Sequence, residues 1–487
     1  MRVMESNDPR GVRVKWDLPL PPVVGRVVEA LARAGGLPMV VGGAIRDALL
    51  GRARDGKDFD LEVYRLEVEV IERVLAEFAT VHRVGRAFGV LHAVFPDGVE
   101  LDVGLPRRES KTGAGHRGFL VVPDPEMTPR EAAERRDFRC NAMLYDPLER
   151  ELHDYFDGRG DIGRRLLRHV GPRFAEDPLR VLRGFQLAAR LDFRLDRGTA
   201  VLCRTLRAEA GALAIERVWG EWYKWAARGD VPSRGLDVLE QTGWLELYPE
   251  LVRLAGCPQE PAWHPEGDVM AHTRLVVDAA AGIARRDRLD PTDRAVLVLS
   301  ALCHDLGKPE TTRVDEDGRI RSPGHTEATA TIESFLRRIG TPDRIARRVV
   351  ALSRHHLAHL GFAGSKRHVR RLARSLEQAG GETIPMLARL VEADASGRPP
   401  LPGGLPDEMR RLLEVAREVD ADAAAPRPLL RGRDLIAAGM KPGPRMGRVL
   451  EAAYEAQLDG AFADLEGALA WLEQSGWLDR ERGDDHG

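Results

Sequence analysis

Gly42-Gly43-Ala44-Ile45-Arg46-Asp47, followed by Lys57-Asp58-Phe59-Asp60-Leu61, is the stretch on which the reading of this chain turns. Met39-Val40-Val41 is a short apolar run that breaks at the two glycines, and Ala44 to Leu50 has helical character. The segment therefore reads as a strand, a tight turn and a helix N-terminus. Free N–H groups at such a turn favour an anion. Downstream, Phe59, Leu61 and Val63 alternate with Asp58, Asp60 and Glu62, so on a strand the acidic side chains share one face. Two such carboxylates can hold Mg2+, which takes oxygen ligands and commonly binds substrate phosphates as well. Taken singly, a Gly-Gly turn and a charged edge strand are ordinary surface structure. Their succession points to nucleotide chemistry.

The pattern resembles the nucleotidyltransferase superfamily, in which a Gly-rich turn, here with Gly43 and Arg46, and an Asp-x-Asp strand bind two metals and a nucleoside triphosphate. On that resemblance Asp58 and Asp60 are the catalytic Mg2+ ligands. Val99-Glu100-Leu101-Asp102-Val103 is a second half-alternating strand able to bring a third carboxylate to the site. By chemistry alone Glu100 and Asp102 serve equally. Asp102 is preferred because its strand resembles the one preceding an Arg-x-Glu-x-Lys segment, here Arg107-Arg108-Glu109-Ser110-Lys111.

At 487 residues the chain has room for several domains. Its net charge of −3 excludes a simple polycation, so any nucleic-acid surface is local, and it is built mainly from Arg, which greatly outnumbers Lys. Cys140, Cys203, Cys257 and Cys303 are far apart and form no Cys-x-x-Cys, against both a disulfide framework and a zinc finger. The N-terminal stretch lacks an apolar segment of signal length, and runs such as Ala295 to Cys303 are too short to span a bilayer. The expected compartment is a reducing cytoplasm, with no membrane partner.

Up to about Asp161 short β-rich runs mix with helices, and afterwards nearly everything has helical spacing. The expected fold class is α+β: a head with a small mixed sheet, followed by an extended all-α body. Pro/Gly clusters at 256–261, 397–406 and 425–428 punctuate the body. The expected division is an N-terminal tail over 1–25, the head over 26–162, and a helical neck over 163–235. A further helical domain over 236–400, a linker over 401–425 and a helical C-terminal tail over 426–487 complete it.

Glu134-Arg135-Arg136-Asp137-Phe138-Arg139-Cys140-Asn141 gathers guanidinium, carboxylate and amide groups suited to triphosphate and ribose. Further on stand Asp154-Tyr155-Phe156-Asp157-Gly158-Arg159-Gly160-Asp161, then Glu176-Asp177-Pro178-Leu179-Arg180-Val181-Leu182-Arg183. Taken alone, Asp177-Pro178 is a good N-cap followed by Pro at the first helical position. In this order the segments resemble the tRNA nucleotidyltransferases that complete the 3′-terminal CCA, a likeness running from about Val40 to Glu221. It implies that Arg135, Arg136, Asp137 and Asn141 contact ribose and phosphates, that Glu176, Asp177 and Arg180 form a protein template for the base, and that Arg183, one turn on, binds the nucleotide with less effect on base choice. A carboxylate and a guanidinium three residues apart on a helix can address one base edge, pairing with cytosine or adenine and not with guanine or uracil. Ile215 to Trp222 resembles the family's helix that braces the template. Bacterial poly(A) polymerases share this head, but Gly85-Arg86-Ala87-Phe88-Gly89 lacks their more basic pattern.

A third constellation comprises His264-Pro265-Glu266-Gly267-Asp268 with His272, Leu302-Cys303-His304-Asp305, Gly324-His325, His355-His356 and Asp394. Imidazole with carboxylate suits Mn, Fe, Ni, Zn or Mg. The pattern resembles the HD phosphohydrolase superfamily. That implies His272, His304, Asp305 and Asp394 as metal ligands, with His325, His355 and His356 available for a second metal or for phosphate. The implied chemistry is attack of water on a phosphoester, the metal's charge stabilising the developing oxyanion. The expected partners are tRNA, CTP and ATP, and the cofactors Mg2+ in the head and a divalent transition metal or Mg2+ in the HD site. Two alternatives differ in kind: an enzyme adding only CC or only A, or poly(A), and a phosphohydrolase whose head merely binds RNA.

Overall fold

The structure is a computed structural model that describes residues 12–52, 59–84, 90–111 and 119–477. Asp58 and the Gly85 to Gly89 stretch lie outside them. By contact density the chain divides into two compact units, the first running to Leu247 except for 226–228 and the second from Tyr248 onward.

The first unit opens with β1 (Val12–Lys15), α1 (Pro22–Arg33), β2 (Leu37–Val41), α2 (Gly43–Leu49), β3 (Phe59–Tyr64) and α3 (Val68–Ala76). It continues with β4 (Thr80–Val84), β5 (Val90–Val94), β6 (Glu100–Gly104), the hairpin β7 (Arg107–Lys111) and β8 (Phe119–Pro123), then α4 (Pro129–Glu134), β9 (Leu144–Asp146), β10 (Glu151–Asp154) and α5 (Gly158–Gly163). Eight strands form one sheet in the order β1-β10-β9-β2-β3-β6-β5-β4, with β3 and β6 parallel and every other neighbour antiparallel. The alternation read in the sequence is what β3 and β6 show: Phe59, Leu61 and Val63, and Leu101 and Val103, are buried, while Asp60 and Asp102 stand exposed. Helix α1 buries Val23, Val24, Val27, Val28 and Leu31 in one stripe. Residues 1–25, expected as a tail, include β1, which pairs along β10, and the start of α1.

The helical part of this unit follows: the short parallel pair β11 (Leu166–Leu167) and β12 (Arg194–Leu195), α6 (Leu179–Leu191), α7 (Arg197–Thr205), α8 (Ile215–Arg228) and α9 (Ser233–Gln241). Phe185 of α6 packs on Trp222 and Trp225 of α8, with ring centroids 4.6 and 5.4 Å away. The Trp225 indole donates to the Pro232 carbonyl at 2.9 Å, so its polar edge is satisfied while the ring fills the core. The expected boundary at 235/236 falls inside α9, which packs along α6. The physical division is ten or so residues later, where Trp244 and Tyr248 are both buried.

The second unit contains α10 (Pro249–Val252), α11 (Val269–Arg286), α12 (Pro291–Cys303), α13 (Lys308–Thr311), α14 (Thr329–Arg338), α15 (Asp343–His355), α16 (Lys366–Gly380), α17 (Ile384–Ser396), α18 (Asp407–Glu418), α19 (Gly432–Ala437), α20 (Pro444–Asp459) and α21 (Leu465–Gln474). Ala295 to Cys303 is buried on every side, making α12 the central helix, enclosed by α11, α15 and α17. The expected linker over 401–425 is a correction: α18 lies within it, burying Met409, Leu412 and Ala416 against α16 and α17. The flanking Pro and Gly residues hid that helical spacing. A separate cluster of Leu430, Leu435, Met440, Val449, Phe462 and Leu472 ties α19, α20 and α21 together. No helix among the described residues is long and apolar enough to cross a membrane.

Candidate active sites

In the head, strand register does the assembling. The parallel pairing sets Asp60 directly opposite Asp102, and the antiparallel pairing with β2 sets Val41 opposite Asp60. Gly42 follows immediately at φ +79°, a conformation that costs an L side chain strain. A Cβ there would also meet the Asp60 carboxylate at 3.1 Å and Arg136 Nη1 at 3.7 Å. The turn is thus glycine because the backbone bends against the carboxylate. Glu100, the other acidic residue of β6, stands opposite Val94 and not opposite Asp60.

Behind the turn, Arg46 is buried and bridges the head's polar residues: Nη1 donates to Asn141 Oδ1 at 2.5 Å, and Nη2 pairs with Asp47 at 2.7 Å. Asn141 in turn donates to Asp137 at 3.1 Å, and Arg183 Nε donates to the other Asp137 oxygen at 2.7 Å. Burial would raise the Asp137 pKa, but the Arg183 charge and the Phe138 amide outweigh it and lower it to about 2. Arg136 Nη2 lies 3.4 Å from Glu62, which also accepts from the Tyr64 hydroxyl at 2.6 Å. Arg46, Asp137, Asn141 and Arg183 therefore form one bonded chain, and Arg136 stands beside Asp60.

Asp177 and Arg180 sit differently from the expectation. Asp177 precedes α6 in extended backbone (φ −127°, ψ 104°), so the three-residue helical spacing does not align the pair. Asp177 Oδ1 accepts from the Leu179 amide at 3.0 Å and Oδ2 from Arg217 of α8 at 2.7 Å. Arg180 donates to the carbonyls of Arg173 and Arg135 at 2.7 and 2.6 Å. Arg135 Nη2 lies 3.5 Å from Glu176.

In the second unit four imidazoles converge on two carboxylates. His304, His325 and His356 donate Nδ1–H to the carbonyls of Ala301, Ser322 and Ser353 at 2.9, 2.8 and 2.7 Å. His272 Nδ1 lies 2.7 Å from Glu266 Oε1, which also takes His264 Nδ1 at 2.9 Å. Each ring is thereby oriented with Nε2 pointing inward, where a metal could take the place of a proton. His272 Nε2 is 3.2 Å from Asp394, His304 Nε2 3.2 Å from Asp305 Oδ2, and His325 and His356 Nε2 are 3.4 and 3.9 Å from Asp305 Oδ1. His272 Nε2, His304 Nε2 and both Asp305 oxygens are buried without a hydrogen-bond partner, although Lys308 Nζ approaches Asp305 Oδ2 to 2.7 Å. Burying such groups unpaired is costly, and a divalent cation removes the cost. His272, His304 and Asp394 can close on one ion, and Asp305, His325 and His356 on another.

The charges match. Burial favours neutral Asp394, yet the neighbouring His272 and His304 imidazoles hold its carboxyl well below the usual range. Burial likewise pushes His272 down, but the Asp394 and Glu266 carboxylates outweigh it and raise it to about 9. His355 is a correction: consecutive helix residues point about 100° apart, so while His356 enters the cluster, His355 turns to Ser375 of α16 at 2.9 Å.

Two families match the chain, one in each unit. The Poly A polymerase head domain family matches residues 39–168, and the HD domain family residues 269–393. A multifunctional CCA protein of Alkalilimnicola ehrlichii is 36% identical over 437 residues, covering 88% of this chain and 97% of that protein. One of Xanthomonas campestris is 34% identical over 430 residues, covering 85% and 96%. The chain belongs to the multifunctional CCA protein family. Its fold is that of the CCA-adding enzymes: the Bacillus stearothermophilus enzyme, solved in complex with CTP, superposes with a TM-score of 0.64 at 23% identity, covering 95% of this chain and all of that one. Nucleotidyltransferase and HD domains of this family are metal-dependent, and the donor sets described here fit that requirement.

In this CCA family member two site residues, Lys308 and His92, and the role of a third are not marked in the sequence. Glu266 stands in the His264-Pro265-Glu266 motif, but its contact with His272 Nδ1 is made only in the fold. Lys308, three residues after Asp305 on the first turn of α13, carried the weak signal of a basic residue following His-Asp. His92 carried none: its partner Asp102 is on another strand, 2.7 Å from Nδ1.

Proposed function

We propose that the protein adds C and A nucleotides from CTP and ATP to the 3′ end of tRNA without a nucleic-acid template, and hydrolyses phosphoesters at its HD site. The observation that carries the first activity is the Asp60 and Asp102 pair, in register on adjacent parallel strands beside the Gly42 turn. With Asp58, these carboxylates hold Mg2+. Mg2+ held there would lower the pKa of the tRNA 3′-hydroxyl and neutralise charge on the triphosphate. Gly42 and Gly43 let the backbone approach the phosphates, Arg136 stands beside Asp60 to meet phosphate or ribose, and the Arg46, Asn141, Asp137 and Arg183 chain holds that wall rigid. On this reading the incoming base exchanges the Asp177 to Arg217 and Arg180 to Arg135 bonds for bonds to its own edge, and Arg217 and Glu221 of α8 brace the template. Arginines of the helical neck grip tRNA phosphates, making binding salt dependent.

At the HD site His272, His304, Asp305 and Asp394 would hold one divalent ion, a transition metal or Mg2+, and Asp305 with His325 and His356 would hold a second. Bound there, a divalent ion would supply an activated water and charge for a developing oxyanion, while Glu266 orients His272 and Lys308 faces Asp305. The organisation proposed is a head, a helical neck, an HD domain that begins at Tyr248 and includes α18, and a helical tail, and the compartment is the bacterial cytoplasm.

The test is incubation of the purified chain with tRNAs truncated by one, two or three 3′ nucleotides, each with CTP and ATP singly and together. Stepwise restoration of CCA supports the reading. Addition of A alone to every substrate identifies a poly(A) polymerase, restriction to C or to the terminal A a partial enzyme, and no addition a phosphohydrolase with an RNA-binding head.

A further inference from the structure

Asp102 does not stand alone on its face of the sheet. The antiparallel pairing of β5 with β6 sets His92 opposite Asp102, just as the parallel pairing sets Asp102 opposite Asp60. His92, Asp102 and Asp60 form one cross-strand row, while their neighbours Leu91, Ala93, Leu101 and Val103 are buried beneath the opposite face. His92 Nδ1 lies 2.7 Å from Asp102 Oδ1, and its Nε2 lies 3.7 Å from Glu100 Oε2. The imidazole is therefore held between two carboxylates of the same strand, one of them the proposed catalytic group.

The packing of β5 does not require a histidine here. Leu91 and Ala93 anchor the strand, and the His92 side chain, 30% exposed, lies on the outward face where an apolar or small residue would be accommodated. What the imidazole adds is a donor aimed at one oxygen of a carboxylate whose side chain is 52% exposed. An exposed carboxylate on a strand is free to turn about two bonds, whereas a metal ligand or base must present one oxygen in a set direction. A bond to Oδ1 removes that freedom and leaves Oδ2 outside the bond.

We infer that His92 is a positioning residue for Asp102: it holds Oδ1 so that the carboxylate is presented in one orientation to the Mg2+ that Asp60 and Asp102 share. Glu100 keeps the ring in place from the other side, which accounts for the second acidic residue of β6 without making it a ligand. The inference rests on the reading of Asp60 and Asp102 as the metal site.

The experiment compares the full chain with its His92→Leu, His92→Asn and Asp102→Asn variants and with the Leu/Asn double variant. It follows single C addition to tRNA lacking CCA and, by electron paramagnetic resonance, the CTP-dependent increment of Mn2+ binding. The Asn amide reproduces the donor at the place of Nδ1. His92→Leu should lower kcat by about 10 to 100-fold, as loss of a partner that orients a ligand does, and weaken CTP-dependent Mn2+ binding, with KM for CTP and tRNA affinity held to within about twofold. His92→Asn should recover most of both, and His92→Leu should cost nothing further in the Asp102→Asn background. A folded His92→Leu protein with wild-type kcat and Mn2+ binding overturns the inference. So do additive losses in the double variant, or equal losses in the Leu and Asn variants accompanied by a lowered melting temperature. Wild-type addition by Asp102→Asn would instead refute the underlying metal assignment.

Discussion

Glu266 offers a sharp perturbation, because it touches no proposed substrate and yet governs a proposed ligand. Its Oε1 accepts from His272 Nδ1 at 2.7 Å and from His264 Nδ1 at 2.9 Å, and its side chain is only 2% exposed. Glu266→Gln preserves volume and one acceptor but removes the charge, and its amide brings two hydrogens against imidazoles that already donate. The His272 ring then loses its charge-assisted anchor and part of the basicity that the anchor gives Nε2. Loss of such an outer partner typically costs 10 to 100-fold in metal affinity, which is about 1.4 to 2.7 kcal/mol. Ni2+ or Mn2+ titration of the apo protein by calorimetry reads the loss directly, with phosphoester hydrolysis read alongside. Nucleotide addition should be unchanged. Wild-type metal affinity in Glu266→Gln would refute the argument that this carboxylate orients His272.

Three further outcomes follow from the two sites. Asp305→Asn, which removes the carboxylate common to both ligand sets, should abolish phosphohydrolysis and leave nucleotide addition intact; loss of both would contradict their independence. Asp137→Asn should destabilise the head, and the pH-dependent part is about 2 kcal/mol because the folded carboxyl lies at about 2 against 3.8 unfolded. That stability is present above pH 3.8 and lost as the pH falls through about 2, so the deficit in urea unfolding, read by tryptophan fluorescence, should shrink over that window; a deficit constant with pH would refute it. Arg180→Ala should lower CTP and ATP use and reduce discrimination against UTP and GTP by roughly 1–3 kcal/mol, with Arg183→Ala altering selectivity less; an unchanged base preference would leave Arg180 only bracing the Arg173 and Arg135 carbonyls.

Much of the head was legible because its signals are local. The break of an apolar run at Gly42-Gly43 and the alternation through Asp60 are written in consecutive residues. Register is not local: that Asp60 faces Asp102, and that His92 faces Asp102 in turn, depends on strands that meet only in the sheet. Residue chemistry therefore left Glu100 and Asp102 equivalent, and only family likeness separated them. The HD ligands were legible as residue types, but His355 and His356 are equal in sequence and are separated by the turn of a helix. The α18 spacing was obscured by prolines and glycines on both sides, and the base-reading geometry assumed a helix that begins after Asp177.

The central claim is that the Asp60 carboxylate in the head performs nucleotide addition to tRNA. The most direct test is Asp60→Ala with a tRNA lacking its last three nucleotides, CTP and ATP, sequencing the product ends and measuring tRNA affinity in parallel. The expected result is CCA on the wild-type product, no addition by the variant, and tRNA affinity close to wild type, since dispersed phosphate contacts hold the RNA. Near-normal addition by Asp60→Ala, or no addition by the wild-type chain, would contradict it.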